Sequence, residues 1–385
     1  MKKLCIDPFS DRFNGTDYIN ELESMAAKPL LTREEIEDSK SYIAMQDTTQ
    51  LHTGMCGLTH SAFILLAKIA VSAPQLTDVK LDNNNLGALG IEITRILMSS
   101  KSITKFDFSG NNLGEHAITM AADLSSYPLL KELDLWNNNL RDSIDPITRH
   151  LSNSSSLIRL NIGNNNLEEE SVVAAANLTE SMSLEEISMD NNNIGDENGV
   201  MVVAHLSQLA SLRELSMIRN NLSESVADMG EILSVFPALT YLDLAKNDMG
   251  SEAGKAFAKN ISQSPTLEKL SIWANGLREG CVEVIKNLQN SKTLQYVDMS
   301  DNGHLVFMND IRKVLNSHTQ KASEWEEWSK ECLEAMKCLS NVLSVDMVYE
   351  SPGLISEVFN DIEYLGDDGQ LPVNPYNLIK FNLSD

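Results

Sequence analysis

Seven histidines lie along the 385-residue chain, at His52, His60, His116, His150, His205, His304 and His318, and no two stand at a spacing that would put both on one metal ion. There is no Gly-x-Ser-x-Gly elbow, no glycine-rich phosphate loop and no Cys-x-x-Cys pair. Five scattered cysteines, an odd number, indicate a reducing compartment rather than a disulfide framework. The expectation is therefore a protein that is not an enzyme, with no catalytic residues, no cofactor and no metal. What recurs at regular spacing is Asn, and the Trp and Tyr residues set in register with it are of the types enriched at interfaces.

The asparagines Asn84, Asn111, Asn138, Asn165, Asn192, Asn220, Asn247, Asn275 and Asn302 follow one another at 27 or 28 residues. Around each runs a Leu-x-x-Leu-x-Leu-x-x-Asn-x-Leu pattern. It is complete at Leu130, Leu133, Leu135, Asn138 and Leu140, and again at Leu157, Leu160, Ile162, Asn165 and Leu167. Stepping back 28 residues from Asn84 reaches Cys56, flanked by Leu51 and Leu58, a degenerate first copy. A fixed period of this length marks a solenoid, whose units bury an apolar face only by stacking on their neighbours. These motifs, over residues 48–320, resemble leucine-rich repeat proteins of the ribonuclease-inhibitor-like class.

Within one repeat the Leu-x-Leu core is a short strand with its leucines inward. Apolar spacing then turns helical, as in residues 199–209, with Gly90, Gly199 and Gly254 near helix starts. The predicted fold is an α/β horseshoe, with a parallel sheet on the concave face and helices on the convex face. Strands advance about 4.8 Å per repeat and helices need roughly 8–10 Å, so the stack curves with its strands inside. The buried Asn column serves turn backbone groups rather than a ligand.

Parallel strands in register allow the inner face to be written in columns. One reads Asp78, Lys105, Glu132, Arg159, Glu186, Glu214, Tyr241, Lys269 and Tyr296. Its alternating signs predict a self-paired surface over the first five strands. Another reads Asp82, Ser109, Trp136, Gly163, Asp190, Ile218, Ala245, Trp273 and Ser300. Interfaces are enriched in such aromatics. The candidate partner-binding residues are Trp136, Ile218, Tyr241, Asp243, Trp273, Tyr296 and Asp298, an apolar frame around an acidic centre suited to a partner with a basic or amphipathic surface. The competing reading is that the aromatics pack only on one another.

A net charge of −25 argues against nucleic acid and anionic membranes as partners. No run is long enough for a membrane span, and the start, MKKLCIDPFS, lacks the apolar core of a secretory signal. Sequons such as Asn14-Gly-Thr16 are expected by chance in so Asn-rich a chain. Residues 1–47 are read as an N-terminal helical cap, with Thr32-x-x-Glu35 as a capping box. Residues 321–385, with 4 Lys against 13 Asp and Glu, are read as a helical C-terminal cap or a small appended module. There Trp325, Trp328, Cys332, Met336, Leu339 and Leu343 follow one helix face, and a second helix opens at Ser351-Pro352.

The resemblance implies a monomeric scaffold that binds another protein on its concave face. The array and its Asn content resemble leucine-rich repeat effectors that intracellular bacteria deliver into host cells, and Leu383 suits a C-terminal translocation signal. Localisation is then cytoplasmic, or by export from a bacterium without an N-terminal signal peptide. The ubiquitin-ligase domain of some such effectors has no room after residue 320, and Cys332 lacks its Cys-x-Asp motif. An F-box is equally unsupported over residues 28–47. The alternative is a GTPase-activating regulator of a small GTPase, which would act through Arg219 and Asn221.

Overall fold

The computed structural model describes residues 3–6, 15–28, 30–299, 301–302 and 344–346. It falls into two compact units, Met1–Asn193 and Ile194–Asp385. The first unit holds strands β1 (Lys3–Cys5), β2 (Gln50–His52), β3 (Asp78–Lys80), β4 (Lys105–Asp107), β5 (Glu132–Asp134), β6 (Arg159–Asn161) and β7 (Glu186–Ser188), each paired in parallel with the next. Helices α1 (Gly15–Ala26), α2 (Arg33–Glu37) and α3 (Lys40–Gln46) come between the first two strands. Then α4 (His60–Ala70), α5 (Leu89–Leu97), α6 (His116–Ser125), α7 (Ile144–Leu151) and α8 (Glu170–Leu178) alternate with strands. The second unit repeats the scheme with α9 (Asp196–Leu206), β8 (Glu214–Ser216), α10 (Val226–Leu233), β9 (Tyr241–Asp243), α11 (Gly250–Ile261), β10 (Lys269–Ser271), α12 (Cys281–Leu288), β11 (Tyr296–Asp298) and β12 (Ser344–Asp346).

Three-residue strands form because each offers only one inward side chain, such as Leu133 or Leu242, between two outward ones. The next template leucine, Leu135 or Leu244, continues the inward row and is also buried. Each such leucine contributes about 2 kcal/mol by leaving water. The helices close the other side, with α4 through α8 packed in succession in the first unit and α9 through α12 in the second. Glycine early in the helix lets the next repeat approach. A Cβ at Gly199 would lie 2.5 Å from Leu222 Cδ2, and one at Gly254 only 2.3 Å from Leu277 Cδ2.

The turn after each strand accounts for the asparagines. Asn111 donates through Nδ2 to the carbonyls of Leu81, Phe108 and Ser109, at 2.9, 2.9 and 3.1 Å, while its own N–H donates to Asn138 Oδ1 at 3.0 Å. Asn138 N–H passes the pattern to Asn165 and Asn165 N–H to Asn192, each at 2.8 Å. In the second unit Asn220 donates to Asn247 and Asn275 to Asn302 in the same way. Cys56 stands at the ladder position of the degenerate repeat, its N–H donating to Asn84 Oδ1 at 3.1 Å.

The N-terminal region departs from a purely helical cap, because β1 joins the sheet ahead of the repeats. The expected capping box is present, with Thr32 Oγ1 accepting from Glu35 N–H and Glu35 Oε2 accepting from Thr32 N–H. It opens only the short α2. Ser39 then starts α3 afresh by accepting from Tyr42 N–H, and Glu21 caps the same helix by accepting from Lys40 and Ser41 N–H at 2.8 Å each. The helices expected from Ser323 and Ser351, with Trp325, Trp328 and Cys332, lie outside the described residues. Of that region only β12 is described, pairing Ser344 with Tyr296 and Asp346 with Asp298.

Candidate functional site

The strand face of the first unit is self-neutralised. In register across β4, β5, β6 and β7, Lys105 reaches Glu132 at 2.6 Å, Arg159 reaches Glu132 at 2.5 Å, and Arg159 also bonds Glu186. Lys80 faces Asp107 at 4.0 Å. The cations of β4 and β6 are thus already held by carboxylates, as the alternating column predicts.

The acidic column between the strand leucines proves to be part of the turn. Asp134 Oδ1 accepts from Trp136 N–H at 2.8 Å, Asn161 Oδ1 from Gly163 N–H at 3.0 Å, and Asp243 Oδ1 from Ala245 N–H at 2.9 Å. Asp107 does the same for Ser109 at 3.0 Å. A side-chain oxygen closing onto the N–H two residues on is an Asx turn, and it relieves the backbone where the strand ends. The signal was present in the sequence as Asp or Asn at one fixed position. Burial pushes the Asp134 carboxyl up to about 6, against the pull of the Trp136 N–H.

This corrects the role expected of Asp243. The residue is buried at 9% exposure rather than open at the centre of a patch, and its second oxygen accepts from Tyr241 Oη at 2.9 Å. A carboxylate so engaged is not offered to a basic partner. Asp298 and Tyr296 are half-buried on β11, and Ile218 and Trp273 are half-buried on the turns that follow β8 and β10. Ile218, Tyr241, Asp243, Trp273, Tyr296 and Asp298 thus share the strand face of the second unit, with small, buried Ala245 and Ser271 among them.

Trp136 belongs to the first unit and has a local task. A Cβ at Gly163 would lie 2.4 Å from two of its ring carbons, so the indole covers the bare backbone of the next repeat. Among the described residues the most exposed large apolar ones, Met182, Leu30 and Val235, lie off the strands, singly, as is ordinary for a protein surface.

Two features escaped the reading of the sequence. The first is the backbone of the turn. The residue before each ladder asparagine has positive φ: Asn83, Gly110, Asn137, Asn164 and Asn191 in the first unit, then Arg219, Lys246, Ala274 and Asp301. Asn and Gly adopt this conformation cheaply, whereas other side chains pay about 1 kcal/mol or more. The second unit therefore spends stability on Arg219 and Lys246, both at φ 55°. Lys246 Nζ lies 4.0 Å from the centroid of the Trp273 ring.

The second feature is a thiol, imidazole and carboxylate in line. Cys5 Sγ is 3.9 Å from His52 Nδ1, and His52 Nε2 is 2.9 Å from Asp82 Oδ1. The order is that of an activated nucleophile. Cys5 is, however, only 6% exposed, and the row braces the first three strands. No cluster of three or more His, Cys, Asp or Glu suited to a metal exists among the described residues. Among them, too, no helix is long and apolar enough to cross a membrane.

Two leucine-rich repeat family models match, one over residues 129–151 and one over residues 237–258. A curated relative, acidic leucine-rich nuclear phosphoprotein 32-related protein 2 of Caenorhabditis elegans, is 35% identical over 80 residues, which cover 21% of this chain and 33% of the relative. The chain thus spans about a third of that protein's length. Among solved structures, the leucine-rich repeat-containing protein LegL7 from Legionella pneumophila aligns with TM-score 0.47 at 16% identity, over 87% of this chain and 97% of that one. A TLR13–ssRNA13 complex aligns with TM-score 0.43 at 18% identity, over 68% and 38% of the two chains.

Proposed function

We propose that this chain, a leucine-rich repeat protein, is a scaffold that docks another protein on the strand face of its second unit. Leucine-rich repeat proteins are in general protein-interaction scaffolds. The observation that carries the finer reading is the contrast between the two strand faces. Across β4 to β7 the first presents carboxylates and cations already paired, while the second presents Ile218, Tyr241, Trp273 and Tyr296, each half-buried with part of its surface open. Half-buried aromatics of this kind anchor interfaces, because their remaining surface is desolvated at little cost in side-chain entropy.

The test begins with capture of partners by the immobilised chain and their identification by mass spectrometry. Against a partner so identified, Trp273→Ala should weaken binding by about 2 kcal/mol or more, with the melting temperature unchanged. If Trp273→Ala and Tyr241→Ala both leave binding intact while a change on the helix side abolishes it, the docking face is wrong. Delivery from a bacterium into a host cell belongs to the same proposal and is checked separately, with a translocation reporter fused to the chain.

A regulator of small GTPases is the second reading, favoured by Arg219, which is exposed on the same face. Stimulated hydrolysis in a GTPase panel, lost in Arg219→Ala and kept in Trp273→Ala, would select it.

A further inference from the structure

On the strand side of the second unit Arg219 and Lys269 are exposed and Lys246 is half-buried. Among the described residues none of the three forms an ion pair, whereas Lys80, Lys105 and Arg159 on the first strand face all do. In a chain of net charge −25 such cations are surrounded by candidate partners and still stand apart. The acids on the same face do not answer them. Asp243 is taken up by Tyr241 Oη and Ala245 N–H, Glu214 and Asp298 engage other groups, and Asp301 stands two repeats beyond Lys246.

The backbone supplies an independent observation. At the left-handed position where the five ladder asparagines of the first unit are preceded only by Asn or Gly, and the degenerate repeat at Cys56 by Met55, Arg219 and Lys246 occupy consecutive repeats of the second unit, joined through Arg219 N–H donating to Ala245 O and Lys246 N–H to Trp273 O. Long cationic side chains are retained where the fold would favour asparagine, and strain kept at a surface points to use. Neighbouring strands lie about 4.8 Å apart, so one carboxylate can bridge two cations on adjacent repeats. The Trp273 ring already holds the Lys246 ammonium at 4.0 Å, which limits the ordering that binding would demand.

We propose that this face binds an acidic segment of a partner protein, a carboxylate seated between Arg219 and Lys246 and an adjacent apolar side chain laid against Trp273. The inference rests on the docking reading above and fixes the partner's charge, opposite to the basic surface expected from the sequence. A nucleic acid offers anions and bases to the same groups, but the whole-molecule charge repels a long polyanion, while a short acidic segment meets mainly the local field.

The experiment uses the full chain and fluorescence anisotropy with three labelled probes: a glutamate–tyrosine copolymer, a lysine–tyrosine copolymer and a single-stranded RNA oligonucleotide. The glutamate–tyrosine copolymer alone should bind, with affinity falling as salt rises. Arg219→Asn combined with Lys246→Asn should lower that affinity about tenfold or more, while leaving the melting temperature the same or higher, because asparagine suits the left-handed backbone. Lys105→Asn, in the paired face, should leave affinity unchanged.

Failure of the acidic copolymer to bind, preference for either other probe, or indifference to the double substitution overturns the proposal. If an identified cellular partner is lost in Trp273→Ala yet kept in the double variant, the docking face stands and its acidic ligand falls. If neither change affects that partner, both fall.

Discussion

Asn165 shows what one side chain does in this molecule. It is 1% exposed, donates to the carbonyls of Leu135, Ile162 and Gly163 at 3.0, 3.0 and 2.9 Å, and accepts from Asn138 N–H at 2.8 Å. Alanine there strands buried groups in two repeats, so Asn165→Ala should cost about 1–3 kcal/mol in denaturant melts. A loss no greater than that of an exposed substitution would show the ladder to be dispensable. Asp134 carries a pH signature. Its folded pKa is raised from 3.8 to about 6, so the folded chain holds that proton more tightly than the unfolded one. Its stabilising contribution is fully present below the unfolded value and is lost as pH rises through about 6. Between pH near 4 and pH near 7 the wild type should lose about 1–2 kcal/mol relative to Asp134→Asn. Parallel stability profiles for the two proteins would show that the carboxyl titrates normally. Burial likewise pushes the Cys56 thiol up to about 11, which suits a packed ladder residue rather than a reactive one.

At the scale of elements, the strands are too short to be stable singly and the helices hold them at a set distance. That distance is fixed where a helix glycine meets the next repeat. Gly254→Ala should force Leu277, itself fully buried, off its rotamer and cost about 1–3 kcal/mol. A melting temperature equal to wild type would mean that α11 shifts freely. The ion pairs along β4 to β7 act differently, because they are partly exposed and screened. Arg159→Ala should change stability by about 1 kcal/mol or less, although it removes two carboxylate contacts.

For the whole molecule the dominant long-range term is the net charge of −25. Like charges at this density repel one another in the folded state, and added salt screens that repulsion more than it weakens the few exposed pairs. The melting temperature should therefore rise on going from low to moderate ionic strength. A fall would place the balance in the ion pairs instead. The same field explains how a small cationic site can be selective, since anions approach it only where Arg219, Lys246 and Lys269 outweigh their surroundings.

The period of the asparagines determined the parallel strands, the buried ladder and the charge pairing between Lys105, Glu132 and Arg159, because each follows from backbone register alone. Adjacent repeats in register put residue against residue without further information. What depended on side-chain direction and on the turn backbone was decided only by the tertiary structure. Asp243 has the same residue type and column position whether it faces solvent or closes an Asx turn, and only the fold buries it. Trp136 and Trp273 share one column, yet one lies over Gly163 and the other under Lys246, because what a ring meets is set by the neighbouring repeat. The bond between Cys5 and His52 joins residues from strands whose pairing lies outside the repeat pattern, so no periodicity announces it. The abundance of asparagine, which in the sequence resembles a trait of a particular group of proteins, has a physical cause: the turn uses left-handed backbone on either side of a buried amide, and Asn meets both needs.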